Sequence, residues 1–122
     1  MVVDFAPLAN SSAAYSSLCA DTVAIELGRL GYTVLPMAAA RSAFKGDALS
    51  DAAVIKAARE QGMDVAVVGF YVIEGERIRI AVRALDIVAD GAVALSLSES
   101  GPAGVDVFDT IDQMASRVAK RI

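Results

Sequence analysis

The side chains that most often carry catalysis are scarce in this sequence. It contains no histidine and a single cysteine, Cys19, so the usual base that activates a serine or cysteine nucleophile is missing. Cys19 lies beside Leu18 and near Val23 on the apolar side of a predicted helix, which is typical of a buried packing residue and not of an exposed, reactive thiol. We therefore expect no catalytic residues and no enzyme activity.

A metal site would have to be built from oxygen ligands, because histidine is absent and the cysteine is single. Asp106, Asp109 and Asp112 recur every three residues, but carboxylates at the start of a helix are explained by the helix dipole. The sequence contains no calcium-binding loop and no glycine-rich phosphate loop. We expect neither a metal nor a cofactor.

Three arginines, Arg77, Arg79 and Arg83, fall on one face of a predicted strand, because alternate residues of a strand point to the same side. Such a stripe suits an acidic partner. RNA is disfavoured, since no aromatic residue lies between the arginines to stack on bases and the chain has a net charge of -4. Two interpretations stay open: a docking surface for another protein, or an exposed strand face whose arginines pair with local carboxylates such as Glu76 and Glu99.

These arginines belong to a stretch that predicts three consecutive strands. Residues 65–73 are almost continuously apolar, as in a strand covered on both faces. Residues 77–87 alternate between apolar and polar side chains, and residues 92–98 alternate again. Glu74-Gly75 and Asp90-Gly91 supply the two tight turns that join these strands.

The first part of the chain alternates strands and helices. Residues 1–5 are predicted as an apolar strand that Pro7 should end, because proline cannot donate to a strand ladder. Residues 12–30 are predicted as a long amphipathic helix with Gly31 as its terminator. Residues 32–35 (YTVL) are predicted as a second short strand.

Three further helical segments are predicted. Residues 37–44 form a helical turn or a short helix, and residues 50–61 form a helix with Ser50 as its N-cap. The last helix starts near Asp106. Its core side consists of residues at helical spacing, which are Phe108, Ile111, Ala115, Val118 and Ile122.

The order of these elements predicts an α/β fold, a three-layer α/β/α sandwich in a single domain of residues 1–122. Helical crossovers make the first three strands parallel, and the two hairpins make strand 4 antiparallel to both of its neighbours. The doubly apolar third strand belongs inside a five-stranded mixed sheet, which gives the order 2-1-3-4-5. Residues 32–35 and 92–98 would then be edge strands with which a second copy could pair to form a homo-oligomer.

The loop after the first strand carries the other candidate site, Asn10, Ser11 and Ser12. In a sheet of order 2-1-3-4-5, the switch point lies beside the C-terminal end of strand 1. Helix amides at that point could receive an anion or a partner carboxylate, while ordinary helix capping explains the same residues. Small-ligand sensing at this crevice is the alternative to protein docking.

Parts of the sequence resemble a known superfamily. The segments GRLGYTVL and IKAAREQGMDVAVVGFYVIEGERIRIAVRALDIVADGAV, with the closing amphipathic helix, resemble the TolB amino-terminal domain superfamily, which includes the CsgG-like and LpoB-like bacterial envelope proteins. The residues at the places of the family pattern are Gly62, Asp64, Gly69, Gly75, Arg83, Asp86 and Gly91. TolB itself has a β-propeller after this domain, and the present sequence has no propeller repeat.

The resemblance implies a three-layer α/β/α domain with a non-enzymatic role in the bacterial envelope, where such domains dock onto other proteins. From it we expect a periplasmic or cell-envelope location, with the cytoplasm as the alternative. No apolar run approaches the ~20 residues of a membrane helix, so we expect no direct membrane insertion by this segment. The expected partner is another protein, not a nucleic acid.

Overall fold

The computed structural model describes residues 1–9, 11–45 and 50–122. In these residues a mixed sheet packs against four α-helices. The strands are β1 (Ala6–Pro7), β2 (Val65–Glu74), β3 (Arg77–Asp86) and β4 (Ala92–Pro102). The helices are α1 (Ser16–Arg29), preceded by a 3-10 turn at Ala13–Tyr15, then α2 (Met37–Ala43), α3 (Asp51–Glu60) and α4 (Val107–Arg121).

The sheet has the order β1-β2-β3-β4. Strand β1 is parallel to β2, and β3 is antiparallel to both neighbours, which confirms the predicted direction of that strand. Gly75 and Gly91 have positive φ in the two hairpin turns, as the turn prediction requires. Strand β4 continues to Pro102, four residues beyond its predicted end. We call the end of the sheet at Val65 the base and the end at Glu74 the top.

The first strand differs from the prediction in its position. Residues 1–5 run beside β2 with one bridge, Val2 to Val67, but the regular strand is Ala6–Pro7. The reason is local, because the amide of Phe5 donates to the carbonyl of Ser16 at 3.1 Å instead of to β2. Pro7 is the last residue of β1, which agrees with its predicted role as the end of the strand, and an edge strand tolerates a proline.

The prediction of a strand at residues 32–35 is wrong, because this segment is not part of the sheet. The described sheet therefore has four strands, and the predicted second strand is missing from the order 2-1-3-4-5. The amide of Gly31 donates to Gly28 and that of Tyr32 donates to Leu27. This pair of bonds is the Schellman motif that closes α1, and it directs the chain back along the helix. Pro36 follows at once and has no amide to donate.

The two faces of the sheet are covered to different extents. On one face α1 and α4 pack on a core that includes Val67, Tyr71, Ile80 and Val82. On the other face α2 and α3 pack on a second core, and its sheet residues lie in the half near the base: Ala66, Val68 and Leu85, together with Ile87 just beyond β3. Helices therefore lie on both sides of the sheet near the base, while no described helix covers the upper half of this second face.

The core side of α4 is shifted by one residue from the prediction at its start. Val107 is buried, whereas Phe108 is 56% exposed. From there the predicted Ile111, Ala115 and Val118 are buried as expected. An amphipathic helix has an apolar stripe more than one residue wide, and the sequence did not distinguish between two adjacent apolar residues at its edge.

Candidate functional site

The strand register places the arginine stripe on the second face of the sheet, near the top. Arg77, Arg79 and Arg83 pair with Glu74, Val72 and Val68 across the β2–β3 ladder, and paired residues of antiparallel strands share a face. Because Val68 belongs to the core under α3, Arg83 stands at the border of the covered half. The other two arginines lie beyond that border.

Arg83 is engaged inside the protein. Its guanidinium binds both carboxylate oxygens of Asp51 at 2.7 and 2.8 Å, and the side chains are 33% and 37% exposed. This hydrogen bonding to Asp51 raises the pKa of Arg83. Asp51 is the first residue of α3, so the pair fixes the start of this helix on β3. Arg83 is therefore a residue that positions α3.

Arg77 and Arg79 are both exposed. Within the described part of the chain neither of them forms a salt bridge. The predicted pairing with Glu99 does not occur, because Glu99 lies on the opposite face and binds Arg117 of α4 at 2.6 Å. The two guanidinium groups are thus available to carboxylates from outside the described residues.

The arginines border a partly apolar surface that we call the open sheet patch. In the ladders, Phe70 pairs with Ala81 and Val72 with Arg79, and the side chains of Phe70 and Val72 are half-buried. A shallow cavity of about 130 Å³ lies beside the two arginines. The patch consists of Ala6, Phe70, Val72, Glu74, Arg77, Arg79, Ala81, Ser98 and Ser100.

The sequence contained part of the signal for this patch. The alternation of β3 correctly predicted that its arginines share a face, but residues 65–73 were expected to be covered on both sides. Phe70 and Val72 were therefore missed as surface residues. Their position in every second place of β2, opposite Ala81 and Arg79, is the signal that could have revealed them.

The second predicted site follows the first strand, and the hydroxyls of its two serines accept hydrogen bonds within the chain. Asn10 lies outside the described residues. The hydroxyl of Ser11 accepts a hydrogen bond from the amide of Ile73 at 2.8 Å, and the hydroxyl of Ser12 accepts one from the amide of Ala14 at 3.2 Å. Since β1 is an edge strand, the switch point expected beside it does not form. Both serines tie the loop to its own surroundings.

Burial determines the chemistry of Cys19. The side chain is fully buried in the core beneath α1, and this burial raises the pKa of the thiol to about 12. Such a thiol stays protonated and unreactive at neutral pH, in agreement with the packing role predicted from the sequence.

A metal site and a membrane-spanning helix are two further features that the described residues could contain. In residues 1–9, 11–45 and 50–122, no cluster of three or more histidine, cysteine, aspartate or glutamate side chains could hold a metal ion. None of the helices described for the chain has the length and apolarity needed to cross a membrane.

A larger apolar crevice, of about 460 Å³, opens at the base of the sheet. Leu27 and Tyr32 line it from the end of α1, and Met63, Val65 and Ile122 line it from the other side. The sequence reasoning missed this crevice, because it assigned residues 32–35 to a strand of the sheet, whereas Tyr32, Thr33 and Val34 line the crevice.

No protein-family model and no curated protein sequence matches the chain. Several solved structures are similar to it, including the following three. Lipoprotein GNA1162 from Neisseria meningitidis has a TM-score of 0.70 at 19% identity, over 99% of this chain and 96% of that one. A PelC dodecamer from Paraburkholderia phytofirmans gives 0.60 at 16%, over 96% and 81%. The LpoB C-terminal domain from Salmonella enterica gives 0.51 at 10%, over 83% and 79%.

At sequence identities of 10% to 19%, the similarity between this chain and the three structures concerns the fold alone. The chain has an LpoB-like fold, and the fold of a lipoprotein matches it over nearly the whole length of both chains. The TolB and CsgG parts of the resemblance stay predictions.

Proposed function

We propose that this chain is a non-catalytic docking domain of a bacterial envelope protein, and that it binds another protein through the open sheet patch. The observation that carries the proposal is the pair of exposed arginines, Arg77 and Arg79, beside half-buried Phe70 and Val72 on a half-face of the sheet that no described helix covers. An apolar centre with a charged rim is the usual composition of a protein interface.

The size of the patch sets the expected strength of docking. Strands lie about 4.8 Å apart and every second residue advances about 6.6 Å, so the patch measures roughly 14 Å in each direction. This area is well below the ~800 Å² per partner of a standard stable interface. Docking through the patch by itself is therefore transient, and exposed charge pairs each add roughly 0.2–1 kcal/mol.

The proposed envelope location is supported by the solved structures of similar fold, one of which is a lipoprotein. We extend this location to the present chain as part of the proposal. The PelC structure is a dodecamer, and self-association of the present chain through its edge strand β4 stays a prediction that sedimentation velocity would test.

The proposal is tested with matched charge reversals. We expect Arg77→Glu/Arg79→Glu to reduce protein capture from a bacterial envelope extract, because it replaces both rim cations with carboxylates. Lys120→Glu/Arg121→Glu makes the same change of charge on exposed residues at the C-terminal end of α4 and should leave capture unchanged. Quantitative mass spectrometry of the bound proteins gives the measurement. Equal capture by all three proteins would exclude the patch as the docking site.

A further inference from the structure

The layer that α3 begins on the second face of the sheet is incomplete. Val54, Ala57 and Ala58 of α3 pack on the lower half of that face, and the helix starts at the Asp51–Arg83 pair. The opposite face carries helices α1 and α4, which reach residues from both halves of the sheet. Among residues 1–9, 11–45 and 50–122, no helix occupies the upper half of the second face in the layer of α3.

The dimensions of the open sheet patch suit a single α-helix. A helix with its side chains is about 10–12 Å wide, and the patch is roughly 14 Å across. Three turns of helix, about 16 Å long, would span it. Two helices side by side would extend beyond both edges of the sheet.

The backbone of the patch favours a helix over an extended peptide. Val72 and Arg79, like Phe70 and Ala81, are paired within the β2–β3 ladder, and β3 is paired with β4 on its other side. The amides and carbonyls of these central strands are therefore already used. An added strand needs unpaired backbone groups at a sheet edge, whereas a helix satisfies its own backbone and offers only side chains.

The positive charge of Arg77 and Arg79 indicates which side chains the partner should present to the patch. Arg77 and Arg79 are two residues apart on one strand, so their side chains lie about 6.6 Å apart along it. Residues i and i+4 of a helix are separated by a similar distance. Two carboxylates at that spacing can face both guanidinium groups at once, while apolar residues of the same helix contact Phe70 and Val72.

We propose that the open sheet patch receives one amphipathic α-helix of the partner protein, with two carboxylates spaced one helical turn apart facing Arg77 and Arg79. This inference rests on the proposed docking function and adds the class of the occupant. The bound helix completes the layer that α3 begins.

Photo-cross-linking tests the inference. A photo-reactive p-benzoylphenylalanine is placed at Ser98 or Ser100, which are exposed on the β4 side of the patch, and the cross-linked partner residues are mapped by mass spectrometry. We expect them to fall in one segment, at intervals of three, four or seven residues, with aspartate or glutamate on its neighbouring positions. Intervals of two, or residues scattered over several segments, would overturn the helix.

A synthetic peptide of the mapped segment provides the second measurement. We expect the peptide to gain helical circular dichroism on binding, and its lysine-substituted version to bind the Arg77→Glu/Arg79→Glu protein in preference to the wild type, with affinities reversed by on the order of tenfold. A central proline should abolish binding of the peptide, because it breaks a helix.

The outcomes separate the inference from the function on which it rests. If capture depends on Arg77 and Arg79 but the mapped residues do not follow a helical period, the docking function stands and the helix is refuted. If neither cross-linking at the patch nor capture depends on these arginines, both are refuted.

Discussion

Gly69, in the middle of β2, allows the segment before β1 to pack closely on the sheet. A Cβ built on Gly69 would lie 2.6, 2.7 and 2.8 Å from three ring atoms of Phe5, and Phe5 is among the most buried side chains of the core. An ordinary contact for a Cβ begins near 3.4 Å. The Gly69→Ala substitution must therefore displace the ring or the strand by a substantial fraction of an ångström.

The cost of this displacement follows from overpacking. Extra methyl groups in a filled core typically destabilise the native state by about 1–3 kcal/mol. Replacing glycine with alanine also restricts the unfolded chain, which stabilises the protein by about 0.4–1 kcal/mol and offsets part of that cost. We expect Gly69→Ala to lower the free energy of unfolding by about 1–2 kcal/mol. For a domain of this size, this lowers Tm by roughly 5 °C.

Urea unfolding of a double-mutant cycle measures the effect. Phe5→Leu removes most of the atoms that clash, so Gly69→Ala should cost at least about 1 kcal/mol less in the Phe5→Leu background than in the wild type. The reasoning is refuted if Gly69→Ala costs the same in both backgrounds, or if it stabilises the wild-type protein.

Three further predictions concern stability. Burial raises the pKa of the Cys19 thiol from 9.0 to about 12, so the native state holds this proton more tightly than the unfolded state does. The free energy of unfolding should therefore fall as the pH rises above 9. In urea titrations at a series of pH values, Cys19→Ala should reduce the slope of that fall by about 1 kcal/mol per pH unit. Gly28→Ala, within α1, should stabilise by about 0.5–1 kcal/mol, whereas Gly31→Ala, at φ 90°, should destabilise by about 1 kcal/mol; thermal melts that move in the same direction would contradict this. Ile111→Ala should cost about 2–4 kcal/mol and Phe108→Ala less than about 0.5 kcal/mol, and similar costs would contradict the orientation of α4.

The three strands from β2 to β4 could be predicted from the sequence because their signals are local. Gly75 and Gly91 fix the turns. The first turn fixes which residues pair between β2 and β3, whereas the pairing of β3 with β4 follows its turn only as far as the register shift between Ala84 and Leu85. The alternation of β3 then determines which side chains share a face. None of these steps requires knowledge of distant parts of the chain.

The errors arose where the position of a segment depends on residues far from it. Residues 32–35 have the composition of a strand, but the Schellman turn after α1 and Pro36 direct them away from regular pairing. The three arginines of the stripe occupy equivalent positions in the alternating pattern of β3. Arg83 differs from Arg77 and Arg79 because α3 brings Asp51 to it across 32 positions of sequence.

The open sheet patch shows a related limit of sequence reasoning. Hydrophobic periodicity identifies Phe70 and Val72 as apolar strand residues, but it does not reveal which element covers them. The length and placement of α3 decide this, and α3 packs on the half of the face near the base. The candidate interface is therefore identified by which part of the sheet the described helices cover, and not by the sequence pattern.

A double-mutant cycle between Arg77 or Arg79 and the facing carboxylates of the cross-linked partner is the most direct test of docking at the open sheet patch. Binding is measured by calorimetry for the wild-type and charge-reversed forms of both proteins. We predict that reversing the charge on both sides restores the affinity lost by reversal on one side, with a coupling energy of about 1 kcal/mol or more. Effects that add within about 0.5 kcal/mol would mean that the partner binds elsewhere on the protein.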